Sequence, residues 1–336
     1  MKIGGNEQIN NVTLNASNEV STNKQNEISI GDYLVQNSAE TNSNSINGKT
    51  AEVVLSPNIK KSVIPGFTKQ NIAVRTLEGV EFNVTLHVQA NTNKEQVKEL
   101  SDKLCKVISN LPPQVLSDMK EETRHITICP NIIHRKDAKA MAVGELNQIF
   151  LSAELLAGTT EKDLEETLIH EQGHLIDRRE GTFAGKWSTY CQKDFDAVKE
   201  LATSELGFEV DLYTLSNTRE CFADYYLYKC GKPSDEHESK VIFEKLEYYS
   251  NEVASLSNEE LQATYGENTD KVKDIAKKWK ILRNNFDFLL TGTQSGKYPR
   301  LVETAQPLSI ESMLEINEKA RLQQEKEDNA KSSPPL

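Results

Sequence analysis

The residues best suited to chemistry in this chain lie in the short sequence HEQGH at positions 170–174. On an α-helix, side chains four positions apart share one face, so His170 and His174 can bind one metal ion together. A catalytic zinc site keeps three protein ligands and a water. Glu171 lies too far around the helix to be a ligand, but it is placed to take a proton from that water as it attacks a peptide carbonyl.

A third ligand is expected from a second helix, which the sequence 211–231 predicts. Glu220 is the expected ligand. Asp224, one turn further along the same face, can accept a hydrogen bond from a ligating imidazole, as residues around metal ligands commonly do. The reverse assignment, with Asp224 as ligand and Glu220 as its support, is also open. We favour Glu220 because it lies nearer the helix start and has the longer side chain.

Together with Tyr213, which precedes Glu220 by seven residues, these motifs resemble the zinc peptidase domain of the anthrax lethal factor and Pro-Pro endopeptidase group. The resemblance covers about residues 94–231. It implies one zinc ion per chain, bound by His170, His174 and Glu220. It also implies that Glu171 is the general base and that Tyr213 donates its phenol hydroxyl to the oxyanion.

The helix that carries HEQGH has its own sequence signals. Thr160 is a candidate N-cap, acidic residues follow it where the helix dipole favours negative charge, and the pattern predicts a helix over 161–179. Apolar residues flank the histidine face on both sides and predict burial: Leu164, Leu168, Ile169, Leu175 and Ile176. Gly173 is costly in mid-helix, which predicts that something approaches the backbone closely there.

The chain before this helix predicts a small mixed sheet. A β-hairpin is expected with Gly79 in its turn, then a helix capped by Thr92. Strands are expected at 125–129 and at 144–151. We expect the strand at 144–151 to lie at the sheet edge over the cleft, where an extended protein or peptide substrate can add to it as one more strand.

Composition predicts how the chain is divided. Residues 1–65 are rich in Asn, Ser and Thr, which cannot bury enough apolar surface to offset the entropy of ordering, so we expect a disordered polar leader. The peptidase domain is expected over 70–300, with a catalytic core at about 94–231 and a helical extension at 235–300. A mostly disordered tail is expected at 301–336. The expected fold class is α+β: zincin-like, with a mixed small sheet, an active-site helix and a C-terminal helical bundle.

Charge and hydropathy argue against several classes of partner. The net charge of −12 and the pI near 5.2 disfavour nucleic acid and anionic membrane surfaces. There is no apolar run of 18 residues, so no membrane span is expected.

No apolar signal segment follows Met1, so we expect cytoplasmic synthesis. An uncleaved polar leader would suit export into a host by a non-Sec route, with an export chaperone as partner. A flexible segment without a function is the equal alternative.

The cysteines and two further histidines are not expected to form sites. The five cysteines are scattered and odd in number, so they predict neither a disulfide framework nor a metal site, and we expect them to act as small hydrophobes. His125 and His134 have no partner at metal spacing and are expected to be surface or loop residues.

The expected function is a zinc-dependent endopeptidase acting on a protein substrate, of the kind found in toxins and secreted effectors. Two alternatives are kept: a catalytically inactive zincin-like module that binds protein, and a zinc amidohydrolase with a non-peptide substrate. The intact base, Glu171, and the phenol of Tyr213 argue against the inactive module. No residue of the sequence excludes the amidohydrolase.

Overall fold

The computed structural model describes residues 48–132, 135–177, 187–205 and 212–294. In this part of the chain the strands are β1 (Ala51–Leu55), β2 (Lys60–Lys61), β3 (Phe67–Thr76), β4 (Glu81–Gln89), β5 (His125–Cys129), β6 (Ala140–Val143) and β7 (Gln148–Ser152). The helices are α1 (Lys94–Asn110), α2 (Pro113–Glu122), α3 (Ala153–Leu156), α4 (Glu161–Ile176), α5 (Gln192–Glu205), α6 (Thr218–Tyr226), α7 (Glu238–Ser255), α8 (Asn258–Tyr265) and α9 (Thr269–Gln294). None of these helices combines the length and hydropathy that a membrane span requires.

The strands form one seven-stranded sheet within the described residues, in the order β1-β3-β4-β5-β7-β6, and β2 pairs with β3. Neighbours are antiparallel except for β4 with β5 and β5 with β7, which are parallel. The predicted hairpin is β3 and β4, and Gly79 takes a positive φ of 78° in its turn, a conformation that glycine adopts at little cost. The expected mixture of helices with a mixed sheet is confirmed.

The sheet begins earlier in the chain than composition indicated. We expected disorder up to residue 65, and this was wrong for β1 and β2. β1 pairs with β3 over all five of its residues, and Ala51 is buried. Just before it, Thr50 N–H donates to Ser109 O at 2.9 Å. The five residues AEVVL are too few to change the composition of a polar segment, but β3 supplies a pairing partner from later in the sequence. Residues 1–47 and 295–336 lie outside the described residues.

The sheet edge near the functional helix is also different from the expectation. Residues 144–151 do not form one strand, because Gly144–Leu146 is a 3-10 turn and Asn147 has left-handed backbone with φ 53°. The strand that remains, β7, lies between β5 and β6 and is buried along its whole length. In the described sheet the edge strand on this side is therefore β6, which the sequence analysis did not predict.

Two helix starts show how well local capping signals work. At the start of α4, Thr160 Oγ1 accepts from Asp163 N–H at 3.0 Å, and the Asp163 carboxylate accepts from Thr160 N–H at 3.0 Å. This reciprocal capping box confirms the predicted start. The start of α1 is one residue later than predicted, because Asn93 rather than Thr92 is the cap: its Oδ1 accepts from Glu95 N–H at 2.9 Å.

The far end of α4 comes before the predicted residue 179. The helix ends at Ile176. The next residue, Asp177, is buried, and its carboxylate accepts hydrogen bonds from the Ser188 N–H at 2.6 Å and from the Ser188 hydroxyl. Residues 178–186 lie outside the described residues, and this contact links the end of α4 to the described segment that leads into α5.

The main core lies between one face of the sheet and the helices, and α4 is at its centre. It packs against α1, α2, α6 and β6, and all the apolar residues predicted to flank its histidines are buried. Helices α7 and α9 pack on α6 through an aromatic cluster in which the rings of Phe243 and Trp279 stack at 5.4 Å and Tyr225 meets both edge-on. The C-terminal helices thus support α6 directly.

Candidate metal centre

Two histidines of α4 and one carboxylate of α6 converge. The rings of His170 and His174 lie edge to face with centroids 4.8 Å apart. Glu220 Oε2 lies 3.2 Å from His170 Nε2 and 3.0 Å from His174 Nε2. Donor atoms on a tetrahedral zinc ion with bonds of about 2.0–2.1 Å are about 3.3 Å apart. One ligand atom from each residue falls within 4.8 Å of the others, so this group can hold one metal ion.

Gly173 explains how the two helices come close enough. A Cβ atom at this position would stand 2.8 Å from Ala223 Cα and 3.2 Å from Tyr226 Cβ, which is closer than side chains tolerate. The absence of a side chain therefore lets α6 cross α4 at the level of the histidines. The close approach predicted at Gly173 is that of the α6 backbone, and its result is that Glu220 reaches both imidazoles.

Asp224 lies on the other side of His170 from Glu220. Its Oδ1 is 2.7 Å from His170 Nδ1, and its Oδ2 accepts a hydrogen bond from the hydroxyl of Thr214. A carboxylate on Nδ1 holds the proton there and leaves the Nε2 lone pair free for a metal. Because His170 Nε2 faces Glu220 and Nδ1 faces Asp224, the geometry favours Glu220 over Asp224 as the ligand.

The electrostatics of the group favour positive charge between its members. Burial by itself would lower the pKa of His170, but the Asp224 and Glu220 carboxylates outweigh it, and that pKa lies well above its usual value. Burial would likewise raise the pKa of Glu220, but His174 and His170 lower it well below the usual range. A divalent cation bound to neutral imidazoles would supply positive charge at this place.

Glu171 and Tyr213 face the same cleft as the three candidate ligands. Glu171 is buried, and its Oε2 has no hydrogen-bond partner among the described residues. Tyr213 is half exposed, and its hydroxyl donates to Glu220 Oε2 at 2.8 Å. Burial and the neighbouring Glu220 raise the pKa of Tyr213 well above its usual value, so the phenol keeps the proton that it needs as a donor.

The cleft itself has a volume of about 820 Å³, within the range of ligand-binding pockets. One wall is formed by β6 and the loop before it, which carries Arg135 and Lys139. The other is formed by Tyr213, Arg219 and the first turn of α7. α4 packs against both β6 and α6 and supplies the residues in between. A cleft of this form can hold several residues of an extended chain.

The structure brings together every site residue that the sequence analysis named: His170, Glu171, His174, Tyr213, Glu220 and Asp224. Two residues at the cleft were not predicted from the sequence: Thr214, which holds Asp224, and His237, which is the N-cap of α7. A hydroxyl next to Tyr213 was the only signal for Thr214. For His237 there was none, because α7 is remote from HEQGH in the sequence.

Residues outside the centre also differ in part from expectation. His125 is not an isolated surface residue, because its Nδ1 lies 3.2 Å from Nε2 of the buried His87. His134 lies outside the described residues. The cysteines are free, and burial raises the pKa of Cys105 and Cys129 to about 12. A high pKa makes a thiol a poor nucleophile, in agreement with their assignment as small hydrophobes.

Comparison of the chain with family models, with curated proteins and with solved structures found no match. None of these comparisons tests the resemblance to the lethal factor and Pro-Pro endopeptidase group, which remains an expectation from the HEQGH motif, Tyr213 and Glu220.

Proposed function

We propose that this protein is a zinc-dependent endopeptidase of zincin-like fold that hydrolyses peptide bonds in a protein substrate. One observation carries the proposal: a buried carboxylate with an unpartnered oxygen, Glu171, lies in the same cleft as a His170-His174-Glu220 group that can hold a metal ion. A metal held only for stability would need neither the open cleft nor the free carboxylate.

The donor set suits zinc. Two imidazole nitrogens and one carboxylate oxygen are a common ligand set of catalytic zinc sites, which keep one position open. When bound, zinc polarises the scissile carbonyl and lowers the pKa of a water to near neutrality. The role of Asp224 is to hold the imidazole of His170 in the orientation that presents Nε2, with the help of the Thr214 hydroxyl.

The protein's own residues then move protons and stabilise charge. Glu171 accepts a proton on its carboxylate from the attacking water and returns it to the leaving amine. The Tyr213 hydroxyl donates its one proton to Glu220 Oε2 in this structure and would turn to the carbonyl oxygen of the substrate as that oxygen becomes negative, which stabilises the transition state more than the ground state.

Substrate binding is assigned to β6 rather than to β7, where the sequence analysis put it. β6 is the edge strand on this side of the described sheet, and its residues Ala140, Met141 and Ala142 line the cleft. An extended peptide can pair with such an edge through main-chain hydrogen bonds. This mode fits a peptide better than the small amide of an amidohydrolase, because a strand edge recognises a repeating main chain.

Removal of the metal tests this function. Treatment with 1,10-phenanthroline should abolish cleavage of a peptide library, and one equivalent of zinc added to the dialysed protein should restore it. The cleavage sites are read by mass spectrometry. Cleavage that survives chelation with no zinc left in the protein would contradict a zinc mechanism.

A further inference from the structure

We propose that His237 is a substrate-binding residue: its Nε2–H donates a hydrogen bond to a main-chain carbonyl of the bound peptide. The proposal rests on the proposed function in two respects: the ligand of the cleft is a peptide, and the probes used in its test bind through the zinc. His237 lines the cleft together with Tyr213 and Glu220, yet it belongs to none of the groups that hold the metal or move a proton.

The hydrogen bonds of His237 determine which of its nitrogens can donate. The residue is the N-cap of α7, and its Nδ1 accepts from the Ser239 N–H at 3.3 Å and lies 2.9 Å from Ser239 Oγ. A main-chain N–H can only donate, so Nδ1 carries a lone pair and the ring proton is on Nε2. The capping contact therefore occupies Nδ1, the only acceptor of the ring, with the Ser239 N–H. It leaves Nε2–H as the donor of His237.

His237 is also tied to the metal centre through its neighbour. The Glu238 carboxylate accepts from Thr214 N–H at 3.3 Å. The hydroxyl of the same Thr214 donates to Asp224, whose other oxygen contacts His170. This chain of hydrogen bonds links the start of α7, next to His237, to the candidate ligand His170.

A peptide paired with β6 has a second edge, and the main-chain carbonyls on that edge need hydrogen-bond donors. In an extended strand, the N–H and C=O groups of alternate residues point towards one neighbour, and those of the residues between point the opposite way. Pairing with β6 satisfies the first set and leaves carbonyls of the second set facing the wall formed by α7 and the Tyr213 turn. A carbonyl that is buried without a donor weakens binding, and His237 has a donor to offer there.

The experiment compares two zinc-binding probes on the zinc-loaded full chain: acetohydroxamate, and a Leu-Ala dipeptide extended by a hydroxamate. Both chelate the metal, but only the second has main-chain carbonyls. The variant is His237→Asn, because asparagine is as good an N-cap as any residue. Its oxygen would make the cap, and its amide N–H groups are on too short a side chain to reach the position of the His237 Nε2–H. Binding is measured by calorimetry, with zinc content and Tm recorded for each protein.

We expect His237→Asn to weaken binding of the dipeptide hydroxamate by about 3- to 10-fold, the usual contribution of one hydrogen bond. Binding of acetohydroxamate, the zinc content and Tm should stay unchanged. Equal weakening of both probes, or no weakening of the dipeptide probe, would overturn the proposal. Turnover is not needed for this result. A wild-type protein that cleaves no peptide but shows the His237-dependent preference would refute the peptidase function while supporting the donor.

Discussion

Asp224 Oδ1 lies 2.7 Å from His170 Nδ1, and both side chains are largely buried. This contact joins α6 to α4 behind the candidate metal centre and determines which imidazole nitrogen faces the cleft. In proteins that bind metals through histidine, such a carboxylate fixes the ring orientation and makes the ligand more basic. The contact gives Asp224 the role of supporting His170 and leaves Glu220 as the candidate ligand.

The first prediction concerns those two roles. Glu220→Ala removes a ligand and should lose most of the zinc, whereas Asp224→Ala should weaken zinc binding by about 10- to 100-fold, because it acts through His170. Affinity is measured by competition with a chelator of known strength. The opposite ranking, with full zinc in Glu220→Ala and an empty site in Asp224→Ala, would show that Asp224 is the ligand.

A second prediction tests the close helix crossing. Gly173→Ala places a methyl group 2.8 Å from Ala223 Cα, and we expect a net loss of about 1–3 kcal/mol in the free energy of unfolding from overpacking, despite the better helix propensity of alanine. Zinc affinity should fall as well, because α6 carries Glu220. Gly158→Ala is the matched control, since a Cβ there would meet nothing within 4 Å. Equal stability of the two variants would contradict the crossing as described.

The part of the site that could be predicted from sequence is the part encoded locally. The spacing of His170 and His174, the capping box at Thr160 and the apolar flanks depend on residues within a few turns of each other. The cost of glycine in a helix indicated a close approach at Gly173 but not its partner. These inferences needed helix geometry alone.

The remainder depends on pairing between distant segments. Whether AEVVL at 51–55 forms a strand depends on β3, and which strand lies at the edge depends on the position of the short β6. The left-handed Asn147 divides what looked like one strand. Likewise, the Thr214–Asp224 and Thr214–Glu238 hydrogen bonds exist only once α6, α7 and the turn before α6 are packed.

The third prediction is a pH dependence of stability that does not involve the metal centre. Burial, then the neighbouring His125 and Lys69, lowers the pKa of His87 from 6.5 to about 4. The unfolded chain therefore binds this proton first as pH falls, and stability is lost between about pH 6.5 and pH 4. The expected loss from this one group is about 2–3 kcal/mol between pH 7 and pH 4.5. Urea denaturation at the two pH values measures it.

The variant for that measurement is His87→Gln, which keeps a polar side chain but does not titrate. Its stability should fall less than that of the wild type over the same pH interval, by the amount assigned to His87. If both proteins lose equal stability, the titrating group lies elsewhere.

The fourth prediction concerns Tyr213. Tyr213→Phe removes a donor aimed at charge that develops only in the transition state, so kcat should fall by about 10²–10³ while KM and zinc content stay nearly unchanged. Tyr248→Phe is a control, since Tyr248 is an exposed tyrosine of α7 at which no change is expected. An unchanged kcat in Tyr213→Phe would assign the phenol to packing or to ligand support.

The most direct test of the central claim is digestion of a broad peptide library by zinc-loaded wild type and Glu171→Gln, with products identified by mass spectrometry. Glu171→Gln preserves the shape of the side chain and the ligands but removes the base. We predict peptide-bond cleavage by the wild type, a loss of at least about 10²–10⁴ in turnover in the variant, and one zinc per chain in both. Wild-type protein that carries zinc and cleaves nothing, or a variant that cleaves as fast as wild type, would contradict the account.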